Sequence, residues 1–133
     1  MDSSFRTEEI ATEIVDAAYA VHSSLGPGLL ESVYEQCLAF ELSDRGLRYE
    51  RQLILPVRYK QHRVDSGLRL DFLVEDQIVL EIKAVESLLK VHTYQLLTYL
   101  KLGDYKLGFL INFNVPLFKQ GIHRFVMGLD EPS

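Results

Sequence analysis

Two apolar segments stand almost end to end in the middle of the chain, Leu68-Arg69-Leu70-Asp71-Phe72-Leu73-Val74 and Ile78-Val79-Leu80-Glu81-Ile82-Lys83-Ala84-Val85, separated only by Glu75-Asp76-Gln77. Runs this rich in branched and aromatic residues read as neighbouring strands buried on both faces. Such a hairpin needs layers of structure on both of its sides, and the rest of the chain has to supply them.

Upstream, the apolar period is helical. Thr7 followed by Glu8, Glu9 and Ile10 has the form of an N-cap with acids in the first turn, and Ile10, Ile14, Ala17, Ala18, Val21 and Leu25 recur at helical spacing up to Gly26-Pro27-Gly28. A second helix is expected past that break, with Leu30, Val33, Tyr34, Cys37, Leu38 and Leu42 as its stripe and Gly46 as its stop. Leu53-Ile54-Leu55 and Val57-Arg58-Tyr59-Lys60 read as two further short strands ahead of the central pair, divided by Pro56. Lys90 to Leu102 returns to helical spacing through Val91, Tyr94, Leu97 and Leu100, and Leu107 to Phe113 and Ile122 to Val126 read as late strands. The expected order is ααββββαββ, an α/β fold forming one domain over residues 1–133.

Charge inside the central hairpin is the chemical signal. Glu81 and Lys83 project from one face of their strand, about 7 Å apart at the backbone. If Glu75-Asp76-Gln77 is a three-residue connection, Val74 pairs with Ile78 and Asp71 falls opposite Glu81. A two-residue turn would instead put the acids on opposite faces. Paired carboxylates between apolar strands repel one another unless a cation joins them or a proton is shared, and a hard divalent metal relieves them well. The plainer reading is a set of cross-strand ion pairs on an exposed hairpin face, which the apolar neighbours disfavour.

Overall composition bears on partners. The formal net charge of −5 argues against a simple nucleic-acid coat. It is unevenly spread, however: residues 1–44 carry −8, residues 45–69 carry +5 and residues 70–133 carry −2. Arg48, Arg51, Arg58 and Arg63 in the basic segment are candidates for contact with a nucleic-acid backbone, or are solvated charges that protect a sheet edge. The lone Cys37 has no internal disulfide partner, no segment is apolar enough to span a membrane, and the first residues lack the order of a signal peptide. A cytoplasmic protein is expected, and a homodimer is compatible with the chain. The scattered histidines have no zinc spacing.

Asp71, nine intervening residues and Glu81-Ile82-Lys83 resemble the D…ExK core of the PD-(D/E)XK nuclease superfamily, with Leu70 in place of the proline of its name. Gly28-Leu29-Leu30-Glu31-Ser32-Val33-Tyr34 resembles the signature of its GxxExxY family, and Gln95 with Tyr99 resembles the Q-x-x-x-Y element that several of its nucleases carry after the lysine strand. The resemblance implies a restriction-endonuclease-like mixed β-sheet flanked by helices. It implies Asp71 and Glu81 as metal ligands, Lys83 as catalytic lysine, and Glu31 as a further acid at the metal. Gln95, semi-buried among Tyr94, Leu96 and Leu97, would complete the catalytic set, with Tyr99 at the nucleic-acid side. His92, at i with Gln95 at i+3 and Tyr99 at i+7, is the weakest member of that helix face. The implied activity is Mg²⁺-dependent phosphodiester cleavage, with Mn²⁺ as substitute, on nucleic acid, DNA in preference to RNA. The alternative is a catalytically silent module on the same scaffold that binds nucleic acid or a protein partner for regulation.

Overall fold

The computed structural model describes residues 3–128, with side chains from Arg6 onward. Residues 1, 2 and 129–133 of the expected 1–133 domain lie outside the described residues. Helices α1 (Ser3–Leu25) and α2 (Glu31–Asp44) lead into strands β1 (Tyr49–Tyr59), β2 (His62–Val74) and β3 (Ile78–Lys83). Helix α3 (Lys90–Gly103), β4 (Leu107–Asn112), a 3-10 turn (Phe118–Gln120) and β5 (Ile122–Val126) follow. The five strands lie side by side in chain order. All neighbours are antiparallel except β3 and β4, which are parallel and joined through α3. This is an α/β fold with a mixed sheet between helical layers.

Alternation along β3 assigns the layers. Ile78, Leu80 and Ile82 pack with Phe72, Val74, Phe109 and Ile111 under α1 and α2, which contribute Ile10, Ile14, Ala17, Tyr34, Leu38 and Leu42. Val79 faces the other way and joins Leu73, Leu110 and the α3 residues Leu96 and Leu100. Every side chain from Ile78 to Ile82 is buried, so a charge at position 81 is held inside the sheet.

Three expectations change. Two short strands merge into β1, because Pro56 sits at a register irregularity between Leu55 and Val57 on an edge strand, where its missing N–H costs no ladder bond. Across from it Gly67 leaves room for Val57: a Cβ there would lie 2.2 Å from Val57 Cγ2. Helix α1 begins a turn before Thr7, whose hydroxyl donates to Gln77 rather than capping the helix. Apolar stripes on α2 and α3 are also narrower than expected. Leu30, Val33, Val91 and Tyr94 are exposed, since each helix buries one face only, through Tyr34, Leu38, Ala39 and Leu42 on α2 and Leu96 and Leu100 on α3.

The β2–β3 connection hides a structural acid. Glu75 and Asp76 both take positive φ (51° and 56°), closing the three-residue turn on the Gln77 N–H to Val74 carbonyl bond. That turn buries Glu75, which accepts the Arg48 N–H at 2.6 Å and pairs with Arg6 and Arg48. These bonds, the Arg48 N–H foremost, hold its carboxyl below the usual range. Its contribution is therefore present above the ordinary carboxylate pKa and is lost as pH falls through the lowered folded value. Glu75→Ala should destabilise the fold by about 1–3 kcal/mol, leaving the Arg48 N–H unpaired. Urea unfolding at neutral pH and at pH 3.5 measures it, and the gap between variant and parent should shrink at the lower pH.

Candidate active site

The central strands part at one point, and the charged residues gather there. Pairing between β2 and β3 runs through Val74–Ile78, Leu73–Val79 and Phe72–Leu80. The same count sets Asp71 against Glu81, as the three-residue connection requires. At that step the Asp71 side chain replaces the ladder, accepting the Ile82 N–H on Oδ2 at 2.8 Å. Beyond it β3 continues with β4 as far as Lys83–Asn112, while β2 continues with β1 alone. A fork opens between the strands, reached from the α2 layer on one side and the α3 layer on the other.

Glu81 points into this fork from a fully protein-lined position. It is 4% exposed, and its Oε1 has no hydrogen-bond partner among the described residues. Burial first, then the hydrogen-bonding contact and charge of Asp71, push its carboxyl up to about 10, against the opposing pull of Lys83. Half-buried Lys83 makes no ion pair among the described residues, so its ammonium is uncommitted at the mouth of the fork. The segment after it is held by Asn112, 3% exposed, whose amide bridges both backbone groups of Val85 at 2.9 and 3.1 Å.

Glu31 stands at the exposed rim, in the first turn of α2. Partial burial raises its carboxyl, Lys83 opposes that rise, and Asp71 and Glu35 add to it. The loop before it is fastened by Tyr34, whose hydroxyl donates to the Gly26 carbonyl at 2.6 Å and accepts the Leu29 N–H at 3.1 Å. Gly28, at φ 104°, takes a conformation that L side chains rarely adopt, and its N–H meets Asn114 Oδ1 at 3.0 Å. Glycine, glutamate and tyrosine at this spacing thus have separate physical tasks. The glycine allows the loop, the tyrosine ties it, and the glutamate is presented beyond it.

One turn along α2 from Glu31, Glu35 is a site residue that sequence reasoning passed over. It accepts Arg51 at 2.6 Å and the Gln52 amide at 2.7 Å. Gln52 has φ 52° within β1, a costly conformation for a non-glycine residue, and its amide lies 3.5 Å from Asp71 Oδ1 while its carbonyl oxygen accepts Arg69 Nε. The inversion at Gln52 also switches the faces: Phe72 belongs to the α1–α2 core, whereas Leu70, two residues earlier on β2, belongs to the α3 core. Glu35 had a detectable signal, being at i+4 from Glu31; Gln52 had none, because its backbone state is imposed from outside its own segment.

On the α3 side Tyr99 reaches the fork. Burial raises its hydroxyl pKa first, and the charge of Glu81 adds to that. Gln95 is exposed, not semi-buried, and donates to the Tyr99 hydroxyl at 2.9 Å. His92 departs from the expected cleft face: its Nδ1 accepts the Leu89 N–H at 3.0 Å, as a cap for α3. Among the basic residues, Arg51 is tied to Glu35 and lies over the Phe72 ring, and Arg48 leans on Glu75 while staying exposed. Arg58 and Arg63 lie opposite one another near the tip of the β1–β2 hairpin.

The donor set suits a hard divalent cation: two carboxylates converge, one with a buried oxygen that has no hydrogen-bond partner among the described residues. Among the described residues no three His, Cys, Asp or Glu side chains form a metal-holding cluster. Asp71 and Glu81 therefore make an open pair rather than a closed cage.

A mixed sheet between helices, forked at an Asp–Glu–Lys set, defines a nuclease-like α/β domain. The chain matches the family model of the PD-(D/E)XK nuclease superfamily over residues 8–125, and it belongs to that superfamily. Nucleases of this superfamily generally use divalent metals. Comparison with curated proteins gave no match, and neither did comparison with solved structures. No helix among the described residues is long and apolar enough to cross a membrane.

Proposed function

We propose that this protein is a GxxExxY-type nuclease that hydrolyses phosphodiester bonds in nucleic acid, DNA in preference to RNA, at the β2–β3 fork. The single observation that carries this reading is the orphaned Glu81 oxygen facing Asp71 with an unpaired Lys83 alongside. A scaffold relieved of catalysis has no physical need for three such charges in an apolar sheet. Asp71 and Glu81 would hold Mg²⁺ or Mn²⁺, with Glu31 at the rim as a further acid. When bound, the ion supplies charge for the phosphate and a water of lowered pKa.

The chain's own residues do the remaining work. Water oxygen bonds to phosphorus as the bridging P–O bond breaks, the water gives up a proton to solvent, and the leaving oxygen takes one up from solvent. Lys83, free of ion pairs, orients the water and offsets the negative charge that grows on the non-bridging oxygens. The Ile82 N–H and the Gln52 amide hold Asp71 in place, so its orientation is set before substrate arrives. Gln95 acts through Tyr99 as a positioning residue on the α3 side. The uncommitted thiol of Cys37 suits a reducing, cytoplasmic compartment.

Purified protein with Mg²⁺ or Mn²⁺ should cut duplex DNA, with weaker action on RNA of the same sequence and none after chelation. Absence of cleavage on single- and double-stranded DNA and RNA with both metals overturns the reading.

A further inference from the structure

We propose that the tip of the β1–β2 hairpin beyond Pro56 is an arm that enters a groove of a nucleic-acid duplex and grips it some base pairs from the cutting site, so that the substrate is double-stranded. This rests on the functional reading above and adds to it.

Among the described residues the tip is a ribbon with no third strand, since β3 reaches β2 only at Phe72–Val74. Its base is packed: Leu68 and Leu70 are buried, and Leu53 and Leu55 lie against the α3 core. From Arg58 to Gly67 every residue is exposed. At its base the register irregularity beside Pro56 is accommodated by the close approach of Val57 to Gly67. A two-stranded ribbon is one of the elements a major groove admits.

Charge gives the ribbon a partner. Arg58 and Arg63 face each other directly across the two strands, and like charges so placed are destabilising. Asp65 binds Arg63 at 2.7 Å, and Arg58 has no acidic partner among the described residues. Lys60 adds a further cation at the turn and lies over the Tyr59 ring, 5.4 Å from its centroid. A strained cationic pair on an exposed ribbon fits a line of phosphates. The Tyr59 ring, 63% exposed, falls on the other face from the arginines, so the face that carries Arg58 and Arg63 has no aromatic stacking platform of the kind that single-strand binders use. From Gln52 at the fork to Arg58 is six residues of strand, at most about 20 Å. That spans about six base pairs of duplex.

The test uses Arg58→Glu in the full chain, which sets opposite charges across the ribbon and so should keep or raise the melting temperature. Fluorescence anisotropy with a 20-bp duplex and the matching single strand, over a salt series and without divalent ions, is run on parent and variant. The variant should bind the duplex about tenfold more weakly, with a log–log salt slope shallower by about 1, and its hydroxyl-radical footprint should shorten at one edge. Unchanged duplex affinity and slope in the variant, with a parent that binds and cuts, overturns the arm and leaves the functional reading standing. A parent that neither binds nor cuts any nucleic acid overturns both. Loss of self-association on Arg58→Glu with unchanged duplex affinity assigns the ribbon to a protein contact and also overturns the proposal.

Discussion

Lys83→Ala should lower the rate of phosphodiester cleavage by about 10²–10³-fold, the loss typical of removing a preorganised charge that faces the transition state. The expected split is diagnostic. Lys83 forms no ion pair among the described residues, and its backbone carbonyl is held by the Phe113 N–H at 3.0 Å. Truncating its side chain therefore breaks no ion pair among the described residues but removes its attraction for Glu81 and Glu31, so the melting temperature should fall only slightly. Duplex affinity should change little, because the cations of the proposed arm remain. Single-turnover kinetics with substrate in the bound state separate these terms. A fall in affinity with an unchanged bound-state rate would make Lys83 a binding residue instead.

Glu81→Gln should raise stability while, like Lys83→Ala, removing activity. A carboxyl pushed up to about 10 in the folded chain takes up a proton on folding at every pH between its ordinary value of 4.5 and that folded value. The folded state binds more protons than the unfolded one across this window. Stability is therefore full below pH 4.5 and declines as pH rises through it. At pH 7, 2.5 pH units above the ordinary value, the loss integrates to about 3–4 kcal/mol at 1.36 kcal/mol per pH unit. Glutamine removes the titrating group and offers Asp71 an amide donor, so the metal-free variant should be more stable than the parent by a similar amount and lose most of this pH dependence. Divalent ions should raise the melting temperature of the parent and leave that of the variant unchanged. Chemical denaturation from pH 5 to 9, with and without Mn²⁺, measures both effects. A metal-free variant less stable than its parent at pH 8 would mean that Glu81 is ionised and satisfied in the fold.

These two residues and Asp71 were legible because charge between buried strands has few explanations, and because a three-residue connection sets the register by counting. Glu31 was legible only through the loop signature around it, whose glycine and tyrosine prove to be the fastening of that loop. The network behind Asp71 was hidden for a physical reason. Gln52 takes φ 52° while its side chain is held by Glu35, Arg69 and Asp71, residues that lie on other elements. Glu75 was hidden differently, as a turn acid beside Asp76 whose burial comes from Arg48 and Arg6 at distant positions. Merging of two expected strands into β1 has the same origin: Pro56 looks like a break until the edge position of that strand makes its missing N–H harmless.

The most direct test of a metal-dependent nuclease at the β2–β3 fork is side-by-side cleavage of a duplex DNA by the parent and Glu81→Gln, purified identically, with Mg²⁺ and with chelator. The parent should cut with Mg²⁺ and stop with chelator, while the variant, folded and more stable without metal, should not cut. Equal cleavage by the two proteins, or none by the parent with either Mg²⁺ or Mn²⁺, would contradict the assignment.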